Sequence, residues 1–151
     1  MESQSSEKIP KNTPQTVTEN LTSTAEFPGT YKIFEANCFG LKNNAQQLSF
    51  YVKKIPEDHL VELYKQKSFP IEYFLMILAS IKVSGLNENL ESCAKFFQAI
   101  TRTFKFELLV KQLIRKERKD IKVIFEKIEK SCPAEVEPLL YEKYNCNDPL
   151  I

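Results

Sequence analysis

The chain has 151 residues and a mass of 17.5 kDa, the length of about one domain. Three Gly, one His and no Trp exclude the glycine-rich phosphate loops of nucleotide enzymes and leave His59 as the sole imidazole around which a nucleophilic triad would have to form. With 42% hydrophobic residues, 27% charged residues and a formal net charge of +1, there is no global attraction to nucleic acid or to an anionic membrane.

Residues 1–28 are rich in Ser, Thr, Asn, Gln, Glu and Pro, and their apolar residues follow no helical or strand period. Such a segment cannot offset its ordering entropy by burial, so it is expected to be a disordered arm, with net charge −2. From Phe34 onward apolar residues recur at intervals of three and four, the helical period. Leu41, Ala45, Leu48, Val52 and Ile55 form a first stripe, entered through a turn at Asn37 and Gly40 and stopped by Pro56. A short second helix with Pro56 at its start and Glu57 and Asp58 near its positive end packs Leu60, Leu63 and Tyr64. Ser68 is expected to cap a third helix. Its run of Ile71, Phe74, Leu75, Leu78 and Ile81 is apolar nearly all round, which predicts the central position, with Gly85 as the stop.

Asn87 or Asn89 opens a fourth helix with Leu90, Cys93, Ala94, Phe97 and Ile100 inward. Thr103 is expected to cap a fifth carrying Phe106, Leu109, Val110 and Leu113. After a short charged break, Ile121, Ile124, Phe125 and Ile128 give a clean i, i+3, i+4, i+7 pattern. Pro133 and Pro138 frame a last helix burying Val136, Leu139, Leu140 and Tyr144, with Pro138 a kink or a first turn. No alternating strand pair with an Asn-Gly type of turn occurs, and no repeat period indexes. The expected fold is all-α, a single compact bundle of about six to seven short helices. It runs over residues 29–145, behind the arm 1–28 and before a tail 146–151.

Catalytic, cofactor and metal sites are not expected. His59 has only a solvated carboxylate one turn away, and Cys38, Cys93, Cys132 and Cys146 lack the C-x-x-C and histidine partners of a zinc set, so buried or idle thiols are the reading. No run of eighteen apolar residues occurs and the first thirty lack a signal-peptide core. A membrane partner is therefore not expected, and a reducing cytoplasmic or nuclear compartment is. Residues 115–122 hold five cations and two anions; a charged helix start with Lys116 compensated by Asp120 is the simplest account, and an anionic partner the next. With Phe106, Leu109, Val110 and Leu113 inward, Lys105, Leu108 and Gln112 share the opposite face, which exposes Leu108; Phe96 is expected to enlarge that patch.

The order of several fragments then carries a resemblance. Phe39-x-Leu41-Lys42 at the opening of the first helix is followed by Tyr51-Val52-Lys53-Lys54-Ile55-Pro56, with Leu60 and Leu63-Tyr64 behind it. Phe74-x-x-Ile77-Leu78, Phe104-Lys105-Phe106, Glu117-Arg118-Lys119 and Ile124-Phe125-Glu126-Lys127-Ile128 come next, and Leu140-Tyr141-Glu142-Lys143-Tyr144 closes the set. Over residues 34–130 the chain resembles the C-terminal domain family of RNA polymerase II-associated protein three, also found in sperm-associated antigen one and a ciliary coiled-coil dynein-assembly protein.

The resemblance implies an all-helical, non-enzymatic adaptor that binds RuvB-like AAA+ ATPases. It would link indirectly to the 90-kDa heat-shock chaperone and serve RNA polymerase, snoRNP or axonemal dynein clients. It also implies a contact helix at residues 105–112, on which Lys105 and Leu108 match the family pattern and Gln112 departs from it by replacing a large apolar group. The expected partner-binding set is Lys105, Leu108, Lys111, Gln112, Arg115, Lys116, Arg118 and Lys119. The rival expectation is a nucleic-acid-binding helical module using the cations of 115–122, which would bind with a steep inverse salt dependence.

Overall fold

The computed structural model describes residues 27–84, 86 and 89–147, and these form eight α-helices and one 3-10 turn with no strand among them. The helices are α1 Tyr31–Gly40, α2 Ala45–Lys54, α3 Glu57–Leu63, α4 Ile71–Val83, α5 Leu90–Thr101, α6 Phe106–Lys111, α7 Arg115–Ser131 and α8 Pro138–Lys143, with the 3-10 turn Pro133–Glu135 between α7 and α8. The all-α bundle is as expected from the periodicity. The count is higher because α1 occupies the stretch assigned to a turn at Asn37 and Gly40. Phe39-x-Leu41-Lys42 accordingly closes α1 instead of opening a first helix. Only Phe34 and Cys38 of α1 are buried, too narrow a stripe to stand out by period.

Proline decides several helix starts. The residue before a proline is pushed out of the helical region, so Phe69 cannot be helical and α4 begins after Pro70, not at Ser68. Pro56 likewise lies just outside α3 at its N-cap. Pro138 is the first residue of α8, with Glu137 extended before it. Starting there, α8 turns Leu140 and Tyr144 inward and leaves Leu139 49% exposed, so Leu139 is not the core residue expected. Thr103 does not cap α6: its hydroxyl donates backward to the Ile100 carbonyl at 2.6 Å and closes α5. Gly85 and Asn87, expected as helix stop and start, lie outside the described residues, as does the arm apart from Phe27 and Pro28. Those two pack onto the bundle. The Phe27 ring lies 5.7 Å from that of His59, whose Nε2 is 2.6 Å from the Pro28 carbonyl oxygen.

Two aromatic groups run through the core. Phe34, Tyr64 and Phe69 bring α1, α3 and the approach to α4 together, with Tyr64 and Phe69 rings 4.6 Å apart. Deeper in, Phe97 meets Phe74, Phe96, Phe125 and Tyr144 at 5.2–6.2 Å, mostly edge to face. The centre is shared by α4 and α5: α4 packs against α1, α2 and α7, and α5 against α2, α3, α7 and the 3-10 turn. Because α5 is covered on two sides, both Phe96 and Phe97 are buried. The Tyr144 hydroxyl donates to the Phe97 carbonyl at 2.6 Å, and Cys146, beyond α8 in the expected tail, is fully buried.

Candidate docking surface

The surface is built around α6, which at six residues is far too short to be helical by propensity alone. Tertiary anchors hold it. The backbone N–H of Phe104 donates to the Tyr64 carbonyl at 2.9 Å, pinning the α5–α6 connection to the end of α3. Lys105 then adopts a left-handed backbone with φ 51° and turns the chain into α6. Phe106 places its ring 5.1 Å from Tyr144, and Leu109 and Leu113 are buried.

With that side committed inward, the opposite side must face solvent. Lys105, Leu108, Lys111 and Gln112 are all exposed, and Leu108 retains 41% of its surface. Gln112 donates its amide N–H to the Leu108 carbonyl at 3.0 Å, so part of its polar capacity closes the helix end. Phe104 and Ile114, at 40% and 59% exposure, bracket α6, and the Lys105 ammonium sits 5.2 Å from the Phe104 ring centroid. Neither apolar residue was expected in the site. Phe104 was not legible by helical spacing, because it precedes the left-handed Lys105 and lies outside α6. Phe96 belongs to the core, not to this patch.

The four cations expected beside α6 divide in the structure. They lie in the first turns of α7, whose start is fixed by Glu117 accepting the Ile114 backbone N–H at 3.0 Å. Arg115 and Lys119 are exposed. Lys116 pairs with Asp120 at 3.4 Å, and Asp120 also takes Lys82 at 2.9 Å. Arg118 is half-buried, and its Nε is enclosed without a hydrogen-bond partner among the described residues.

Burial pushes the Cys146 thiol up to about 11 and that of Cys38 further, which leaves both protonated and poor nucleophiles at neutral pH. Among the described residues no three His, Cys, Asp or Glu side chains converge to hold a metal ion. A groove of about 640 Å³ beside α2 is lined by Asn44, Gln47, Ser49, Phe50 and Lys53 among others, and among the described residues Lys53 is its one ionisable side chain.

A small all-helical domain that shows a half-exposed Leu108 on an anchored helix, with exposed Phe104 and Ile114 at its ends and cations around them, has the anatomy of a protein-binding module. The chain belongs to the family of the RPAP3 C-terminal domain: the family model described as the potential Monad-binding region of RPAP3 matches residues 9–118. The match includes α6 and the beginning of α7, and it starts further toward the N-terminus than the fragments quoted above. The fold is similar to the NMR structure of the C-terminal domain of the human RPAP3 protein, with a TM-score of 0.67 at 20% identity, over 82% of this chain and 93% of that one. No curated protein sequence matches the chain significantly.

Proposed function

We propose that the chain is a non-enzymatic docking module that binds a RuvB-like AAA+ ATPase through the outer side of α6. Leu108 is the apolar anchor, with Phe104 and Ile114 at the edges and Lys105, Lys111, Arg115 and Lys119 orienting an acidic partner surface. The observation that carries this reading is the exposure of Leu108 on a helix whose other side is fixed in the core. An apolar centre with a charged rim is how transient interfaces combine contact area with orientation. The family resemblance supports the ATPase as partner and the assembly of RNA polymerase, snoRNP or dynein complexes as context. The family description favours a second partner, Monad, for the same domain. Pull-down by the full chain with each purified candidate separates the two, since Leu108→Asp should abolish capture of the partner that uses α6. Unchanged capture of both by the folded variant would refute the site.

A further inference from the structure

Helix α7 carries seven cations and four acids, and three of the acids are engaged. Glu117 holds the helix start, Asp120 takes Lys82 and Lys116, and Glu129 accepts the Tyr141 hydroxyl at 2.7 Å. Ile121, Ile124, Phe125 and Ile128 face the core, so the residues half a turn away, Lys119, Val123, Glu126 and Lys130, line the outer side with Lys127 beside them. Lys119, Lys127 and Lys130 are exposed and form no ion pair with a described residue. Val123, between them, is 43% exposed. The row from Lys119 to Lys130 is straight and about 17 Å long at the helical rise.

We propose that this outer row of α7 is a second docking surface, centred on Val123 and sharing only Lys119 with the α6 site, and that its occupant is an acidic amphipathic helix of a partner protein. Cations at helical spacing around one apolar side chain match a helix that presents carboxylates around an apolar residue of its own. Nucleic acid fits less well: Val123 at the centre of the row offers an apolar contact that a phosphate backbone cannot use, and no aromatic residue lies there to stack on a base. A second copy of the chain would set like charges against each other. The family match ends at Arg118, so the row lies beyond the segment it covers.

The test uses the full chain and a fluorescein-labelled helical peptide with Glu at i, i+4, i+8 and i+11 around a central Leu. A scrambled peptide of the same composition and a DNA duplex serve as comparisons. The patterned peptide should bind at least about tenfold more tightly than either, and the combined Lys119→Gln, Lys127→Gln and Lys130→Gln variant should lose at least that factor. Val123→Asp should weaken binding in the same way, and Leu108→Asp should leave it unchanged. Circular dichroism confirms folding of each variant. Equal binding of the scrambled peptide, tighter binding of DNA, or unchanged affinity in the triple variant would overturn the proposal.

Discussion

Lys105 occupies the left-handed backbone region at φ 51°, where a residue with a Cβ is strained by roughly 1–2 kcal/mol. Among the described residues asparagine fills the two other such non-glycine positions, Asn89 and Asn145, and tolerates them better. Lysine at that corner puts its ammonium 5.2 Å from the Phe104 ring centroid. Lys105→Gly should therefore raise stability by about 1 kcal/mol while weakening partner binding; denaturant midpoints and a binding titration check the two signs. The cysteines differ in burial. Cys38, Cys93 and Cys146 are enclosed and Cys132 is half-buried, so iodoacetamide at pH 8 should label the native chain first at Cys132. Mass spectrometry should find the other three modified only after unfolding.

The legibility of each helix follows the width of its buried stripe. In α7 four inward residues at i, i+3, i+4 and i+7 left no ambiguity, and all four are buried. In α1 the exposed Ile33 and Phe39 dilute a stripe of two, and the helix was invisible by period. Ser68 and Thr103 looked like caps because a hydroxyl before an apolar run is the local signal; a downstream proline overrode the first and a backward hydrogen bond the second. At α6, counting inward residues was enough to expose Leu108. Which cations remain accessible was not legible, because Asp120 reaches Lys82 on α4, a pairing that only the tertiary fold creates. Since α6 is held by Phe106 and Tyr144, Phe106→Ala should cost about 2 kcal/mol, less than the 3–5 of a fully buried Phe. Amides of α6 should then exchange faster in hydrogen exchange while those of α4 and α5 keep their protection.

At the scale of the whole molecule, stability should depend on alkaline pH. Burial pushes the Tyr51 hydroxyl up to about 12 from its ordinary 10.0, and the Cys146 thiol up to about 11 from 9.0; Tyr64 and Tyr144 shift in the same direction. A group whose folded pKa is raised releases its proton sooner in the unfolded chain. Its stabilisation is complete below the unfolded value and is lost as pH climbs to the folded one. The urea midpoint should hold steady up to about pH 9 and fall between about 9 and 12; a flat or rising midpoint there would contradict the buried network.

The near-neutral net charge of the chain conceals an uneven distribution, acidic over residues 1–28 and basic along α7, and with it two surfaces instead of one. The central claim is that the anchored helix α6 is the docking element. It is tested most directly by calorimetric titration of purified RuvB-like ATPase with the full chain and its Leu108→Asp variant. Saturable binding by the parent chain, reduced at least about a hundredfold in a variant of unchanged circular dichroism, is the predicted result. Equal binding by the two proteins would contradict it.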